Sequence, residues 1–275
     1  SYDLNYRKEI RLLTHFSFHR LFGETFIVYN PAHQKLKINE AYTVMADGKK
    51  VVTPENAFNE VLPGFARDIP SVNNLREMVV THTGTEIGSV ITLDYTIHTA
   101  TGFLPFFSGM EEIGENVPVN DMSISIRVPS EFSLQYRMLN IRLAPEIAEK
   151  DGMTGYTWKF GSLRPLPRSS NQDPERKAYL LFSVAKDMTQ AYFAFVNQPA
   201  FRSEPGPEIS KYADAAIEGK IDELDIILAL QNIVIDEVKY ADVPLYYTGY
   251  KVRTPADTWK SAYGNSLEKA ILLSE

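Results

Sequence analysis

Hydrophobic and polar residues alternate along most of the first 200 positions of the chain. The alternation covers residues 4–29, 36–44 and 122–128, with interruptions at glycine, proline and asparagine. Its clearest run places four apolar side chains on one face, namely Ile91, Leu93, Tyr95 and Ile97. Because successive side chains of a strand point to opposite faces of its sheet, this period predicts half-buried antiparallel strands.

Turn signals separate the predicted strands. Asp47-Gly48 is typical of a tight hairpin, because both residues tolerate positive φ. Residues 53–74 contain three prolines and show little periodicity, which predicts a long surface connection. Further strands are predicted at 134–141, 156–160 and 179–184. Repeated short strands of this kind predict an antiparallel sandwich or barrel.

The pattern changes after a stretch rich in proline and glycine at 199–207. Residues 209–219 predict a short helix, and residues 222–238 predict an amphipathic helix with acidic residues in its first turn. The apolar positions of the second helix are Leu224, Ile227, Leu228, Val234 and Val238. We therefore predict three parts, with a β-sandwich domain over 1–203, a linker with a short helix over 204–220, and the start of a second domain over 221–275.

The last 22 residues carry the candidate chemistry. Tyr263-Gly264-Asn265 is a turn signal, and Ser266 opens a run with helical spacing, so Ser266 is expected at or near a helix N-terminus. The unpaired N–H groups and the dipole at such a position favour an anion, which would activate a cysteine. A serine hydroxyl gains little there and needs an adjacent base. A plainer interpretation is that Ser266 caps the helix.

Two segments resemble known families. Tyr-Gly-Asn-Ser-Leu-Glu-Lys-Ala at 263–270 resembles the Tyr-Gly-Asp-Cys-Lys-Asp-Lys-Ala segment of bacterial transglutaminase-like (papain-type) domains. Ser266 falls on the nucleophilic cysteine of that family, and Asn265 replaces its aspartate. Residues 35–99, with Ala-Asp-Gly-Lys and Glu-Ile-Gly-Ser-Val-Ile followed by Asp-Tyr, resemble the DUF3857 β-domain, which precedes transglutaminase-like domains in bacterial envelope proteins.

These resemblances imply a mainly β chain. An antiparallel β-sandwich would be followed by a small α-helical segment, the truncated start of a transglutaminase-like α+β fold. They also imply a periplasmic or cell-envelope location. The partners they imply are a peptide or envelope polymer and the remainder of the transglutaminase-like domain. Since the chain begins at Ser1 and stops at Glu275 within a predicted helix, we expect a fragment of a longer protein, from which a leader or tag was removed.

Composition narrows the function classes. The 275 residues are 44% hydrophobic, which is enough for a packed core. The formal net charge of -7 argues against a nucleic-acid partner. The absence of cysteine excludes disulfides, thiolate metal sites and cysteine nucleophiles, and no apolar run is long enough for a membrane span. No cofactor is expected.

Candidate binding residues remain. His15 and His19 have i, i+4 spacing, but the flanking alternation predicts a strand, in which positions four apart lie about 13 Å from each other, so no metal site is expected. The other histidines, His33, His82 and His98, also lie in the predicted β-domain, whereas the family's histidine follows its nucleophile. The preferred substrate-binding candidates are Tyr246, Tyr247, Tyr250 and Trp259. A second aromatic group, Phe103, Phe106 and Phe107, fits either a sugar platform or core packing.

Three functions stay open. The preferred interpretation is a non-catalytic binding or scaffolding domain, because Ser266 lacks a base within this chain. The first alternative is a fragment of a cysteine-type peptidase or acyl transferase in which serine replaces the thiol. The second is a carbohydrate-binding β-sandwich that uses the exposed aromatic residues.

Overall fold

The structure of the chain is a computed structural model that describes residues 1–18, 20–166 and 177–275. About 35% of the chain is strand and 27% is helix, and most of the helix lies in the C-terminal part. The prediction of a mainly β chain with antiparallel sheets followed by helices is therefore confirmed.

The elements follow one another in this order. The strands are β1 (Tyr2–Arg11), β2 (Glu24–Tyr29), β3 (Gln34–Val44), β4 (Lys50–Val52), β5 (Phe58–Val61), β6 (Arg76–Thr81), β7 (Val90–Thr99), β8 (Ser108–Ile113), β9 (Ser123–Pro129), β10 (Gln135–Leu139), β11 (Glu146–Lys150), β12 (Met153–Lys159), β13 (Ala178–Ser183), β14 (Lys239–Tyr240) and β15 (Tyr263–Gly264). The α-helices are α1 (Arg20–Gly23), α2 (Met188–Val196), α3 (Pro207–Ile217), α4 (Glu223–Glu237), α5 (Pro255–Ser261) and α6 (Ser266–Ser274).

The chain forms two compact units. The first contains Ser1–Phe103 together with Asn197–Glu275, and the second contains Leu104–Val196. The C-terminal helices therefore share a unit with the first seven strands. This division by compactness differs from the predicted boundaries at 203 and 220, which follow the change of sequence pattern after residues 199–207 and stay a prediction.

The first unit contains two antiparallel sheets, with strand orders β1-β7-β3-β4 and β2-β6-β5. Apolar side chains from both sheets form one core cluster, to which β7 contributes Leu93 and Ile97. The Asp47-Gly48 turn joins β3 to β4 as predicted: Gly48 has φ +88°, and the Asp47 carboxylate accepts the Lys49 N–H at 2.8 Å. The alternating pattern of β7 thus identifies the face that fills this core.

Two predictions in the first unit are wrong. The region of His15 is not a strand, because His15–Phe18 forms a 3₁₀ helix, and His19 lies outside the described residues. Residues 53–74 are not a surface connection. They contain β5 and three 3₁₀ helices, and Ala66, Ile69 and Val72 are buried beside Leu75 and Ala241. A segment can pack well without period-two alternation when its turns point apolar side chains inward.

The second unit contains the sheets β10-β13-β8 and β11-β12-β9. Its core is built around Trp158, which is fully buried, with Ile126, Val128 and Leu180. Strands at 122–128, 134–141, 156–160 and 179–184 were predicted, whereas β8, β11 and α2 were not. The unit therefore has its own core of antiparallel sheets.

Helix α4 buries only part of its predicted apolar face. Asp222 caps the helix by accepting the Leu224 and Asp225 N–H groups. Val234 and Val238 are buried against α6, whereas Leu224, Ile227 and Leu228 are 61%, 50% and 44% exposed. The first two turns of α4 therefore present an uncovered apolar surface.

His82 is a buried histidine at the end of β6. Its Nε2 lies 2.9 Å from the Thr25 hydroxyl, and its Nδ1 has no partner among the described residues. Burial lowers the pKa of His82 below its ordinary value of 6.5. The folded protein thus holds this ring neutral at pH values where the unfolded chain binds a proton.

We expect the free energy of unfolding to fall as the pH drops below 6.5, the ordinary pKa of His82. Above that value the ring is neutral in both the folded and the unfolded state, so His82 no longer lowers the free energy of unfolding. The measurement is urea denaturation between pH 7.5 and 5. A His82→Gln variant should show a flatter pH dependence than the wild type, and an equal slope in both proteins would contradict the assignment.

Candidate functional site

Ser266 is the first residue of α6 and is exposed. The residue before it, Asn265, caps the helix in extended backbone conformation, and its side chain accepts the Glu268 N–H at 3.0 Å. Glu268 reciprocates by accepting the Asn265 N–H at 3.0 Å, which completes a capping box. The interpretation of Ser266 as the cap is therefore wrong, since Asn265 has that role and Ser266 is already helical.

Glu268 forms a largely buried ion pair with Arg253. Its carboxylate accepts from the Arg253 Nη2 at 2.7 Å and Nε at 2.9 Å, and from the Arg253 backbone N–H at 3.3 Å. The Glu268 side chain is 6% exposed and that of Arg253 is 23% exposed. With the Asn265 N–H, this carboxylate accepts four hydrogen bonds, which compensate for the loss of its hydration.

Arg253 also binds three other segments. Its Nη1 donates to the Ser261 hydroxyl at 2.8 Å and to the Ser71 hydroxyl at 3.2 Å, and its Nη2 donates to the Tyr263 carbonyl at 2.6 Å. Arg253 therefore connects the end of α5, β15 and the start of α6 with the 3₁₀ turn at Pro70–Val72. This single guanidinium fixes the position of residue 266 through the segments on either side of it.

The loop that leads to Arg253 has an unusual backbone. Gly249 and Tyr250 both adopt left-handed φ, at +67° and +59°. A Cβ at Gly249 would clash with the Phe103 carbonyl oxygen, so only glycine fits there. The Gln198 side chain binds both sides of Lys251, because it donates to the Tyr250 carbonyl at 3.0 Å and accepts the Val252 N–H at 3.0 Å. The loop is thus held in one conformation.

A pocket of about 220 Å³ lies beside the capping box. Its polar lining combines residues from early and late parts of the chain, which are Asn30, His33, Ser71, Asn74, Thr248, Lys251, Arg253, Asn265 and Glu268. Its apolar lining includes Ile69, Val72, Leu75 and Ala241, which belong to the same core cluster as Ala66. Asn265 lines this pocket, and Ser266 is the next residue in the chain.

The four aromatic candidates have different neighbours. Tyr246 and Tyr247 contact each other, with ring centroids 4.1 Å apart. Tyr247 stacks on Phe65 with ring centroids 5.7 Å apart, and burial raises its pKa. Trp259 packs edge-on against Tyr212, with centroids 5.1 Å apart. Burial also raises the pKa of Tyr250, and Tyr246 is the most exposed of the four, at 51%. In the part of the chain that the structure describes, the lining of the pocket beside the capping box includes none of the four.

The other aromatic candidates serve packing. Phe103 is buried and lies against His33, with ring centroids 5.2 Å apart. In the second unit, Phe107 packs on Phe182 with centroids 5.4 Å apart. These contacts favour the core interpretation of Phe103 and Phe107 over a sugar platform.

The described ranges contain no group of three or more histidine, aspartate or glutamate side chains that could hold a metal ion. Within the same ranges, no helix has the length and apolarity needed to cross a bilayer.

Comparison with known proteins places the chain in a family. The family described as "Domain of Unknown Function with solved-structure structure (DUF3857)" matches residues 1–167. The chain belongs to the DUF3857 family. This DUF3857 chain is also similar to the crystal structure of a "putative protease" from Parabacteroides distasonis ATCC 8503, with 32% identity and a TM-score of 0.89. The match covers 99% of this chain and 54% of that one, so the chain spans about half the length of that protein. No curated protein matches the chain.

Sequence reasoning missed the residues that line the pocket beside the capping box or hold the loop at 249–252. The residues predicted for the site did not include Arg253, Lys251, Gln198 or Ser71. A partial signal was available for Glu268, because Asn265 and Glu268 have the spacing of a capping box. The partner of Glu268 could not be found from the sequence, since a long-range ion pair leaves no local periodicity.

Replacement of Glu268 by glutamine should lower the free energy of unfolding by about 3–5 kcal/mol, because it leaves the largely buried Arg253 without its counter-charge. Urea denaturation of the DUF3857 chain measures the loss. Glu9 serves as the control, since it pairs with Arg7 at 3.1 Å but is 56% exposed. Glu9→Gln should change the stability by less than about 1 kcal/mol. Equal effects of the two substitutions would contradict a structural role for the buried pair.

Proposed function

We propose that this chain is the non-catalytic binding and scaffolding part of a bacterial envelope protein of transglutaminase-like type, with Ser266 at the position of the nucleophile. The single observation that carries the proposal is the fixed start of α6 beside a pocket. The Arg253–Glu268 pair and the capping box hold residue 266 in place, and Asn265 lines the pocket. A ligand in that pocket, such as a peptide or envelope polymer, would lie next to residue 266.

The chemistry of Ser266 supports a role without catalysis. A serine hydroxyl attacks a carbonyl only when a base within hydrogen-bond distance accepts its proton. In the part of the chain that the structure describes, no side chain forms a hydrogen bond with the Ser266 hydroxyl. His82 is bonded to Thr25, and His98 lies 2.7 Å from the Asp3 carboxylate. His33 lines the pocket, and its ring lies against Phe103.

The alternative is an enzymatic role for a longer protein. The similar structure from Parabacteroides distasonis is described as a "putative protease", and its chain is nearly twice as long as the matched segment. A cysteine-type peptidase or acyl transferase would need a thiol at position 266 and a histidine from another segment. The envelope location and the transglutaminase-like second domain belong to the same proposal and rest on the resemblance of residues 263–270.

A Ser266→Cys variant tests whether this position activates a nucleophile. The wild-type chain has no cysteine, so the variant has a single thiol. Ser274→Cys is the matched control, because it places an exposed thiol at the opposite end of the same helix. The measurement is the rate of iodoacetamide alkylation between pH 6 and 9. We expect the thiol at position 266 to react no more than about tenfold faster than the control thiol at pH 7, which is what a helix dipole supplies.

An alkylation rate at position 266 that no longer rises between pH 6 and 9 would contradict the scaffolding role, because a thiol that is fully ionised at pH 6 needs more stabilisation than the helix dipole supplies. The same substitution in a longer protein that contains this chain separates the two proposals. A rate that rises only in the longer protein would support the enzymatic alternative, with the base supplied by another segment.

A further inference from the structure

We propose that the pocket beside the capping box binds a carboxylate of a peptide and that the Lys251 ammonium is its counter-charge. The ligand is an acidic side chain or a C-terminal carboxylate, attached to one residue that enters the pocket. The inference rests on the proposed binding role but does not depend on the chemistry of Ser266.

The charges in the pocket favour an anion. Among the described residues that line it, Glu268 is the only carboxylate, and its charge is compensated by Arg253, which also lines the pocket. Lys251 adds a second cation, and none of the described carboxylates lies within ion-pair distance of its Nζ. The lining therefore carries one uncompensated positive charge, and a ligand carboxylate would neutralise it.

The backbone on both sides of Lys251 is held in place, and its side chain is exposed. The Gln198 amide binds the residues before and after it, and the left-handed conformations of Gly249 and Tyr250 set the direction of the loop. The left-handed φ of the non-glycine residue Tyr250 is strained, and such positions are commonly maintained where a loop binds a ligand. A cation on a fixed loop loses less conformational entropy on binding than one on a mobile segment.

The remaining lining suits one amino-acid residue. Its apolar lining includes Ile69, Val72 and Leu75, and its polar lining includes Asn74 and His33. The volume of about 220 Å³ is smaller than the roughly 300–1,000 Å³ of pockets for drug-sized ligands. A ligand with an aliphatic stem against the apolar residues and a carboxylate at Lys251 would match both parts of this lining.

The test is an NMR titration of the 275-residue chain with three short peptides at low salt. Acetyl-Ala-Glu-amide offers a side-chain carboxylate, acetyl-Ala-Ala offers a terminal carboxylate, and acetyl-Ala-Gln-amide offers neither. We expect one or both carboxylate peptides to shift the amide signals of Lys251 and Asn74. The uncharged peptide should bind about tenfold more weakly, because it lacks a charge-assisted hydrogen bond. The better of the two carboxylate peptides identifies the source of the anion.

Lys251→Gln should weaken the binding of the carboxylate peptides about tenfold. Lys260→Gln is the matched control, because Lys260 is exposed on α5 and does not line the pocket, and it should leave binding unchanged. The proposal is overturned if no peptide binds, if the three peptides bind equally, or if Lys251→Gln binds like the wild type. Retained carboxylate binding together with a highly reactive thiol in the Ser266→Cys variant would overturn only the non-catalytic role.

Discussion

The largely buried ion pair between Arg253 and Glu268 is the constraint on which the candidate site depends. Removing both charges from water costs several kcal/mol per ion, so the pair persists only because nearly every donor and acceptor has a partner. Glu268 accepts four hydrogen bonds, and Arg253 reaches Ser71, Ser261 and Tyr263. The start of α6 is consequently tied to an early segment of the chain, since Ser71 lies 182 positions before Arg253. The pocket exists because these two segments meet.

The strands could be predicted where one face of a sheet is buried. In β7 the alternation identifies Leu93 and Ile97 as core residues, since a one-residue shift in register would expose them. The 53–74 segment could not be predicted in this way, because its buried residues lie in short turns without a repeat. In α4 the helical period was visible, but Leu224 and Leu228 are exposed in the structure. Periodicity identifies an apolar face, whereas only the tertiary contacts determine whether another element covers it.

The candidate site was predictable only in its local part. The turn signal at Tyr263-Gly264-Asn265 and the helical spacing after it predicted a helix start at residue 266, and the structure begins α6 there. The aromatic residues near the site were expected to bind a substrate, and this stays a prediction. In the structure Tyr247 and Trp259 pack against other rings. Lys251 and Arg253 carry the charge of the pocket, and they are separated from Ser71 and Asn74 by more than 170 positions. Such long-range contacts leave no pattern in a single sequence.

Amide hydrogen exchange of the wild-type chain tests most directly whether the ion pair fixes the start of α6. The Asn265 and Glu268 amides are bonded within the capping box, and the Arg253 amide is bonded to the Glu268 carboxylate. If the pair holds these segments together, the three amides exchange only through the same global opening as the core amides of β7. Exchange of the three amides through a local opening of much lower free energy, while β7 stays protected, would contradict the account.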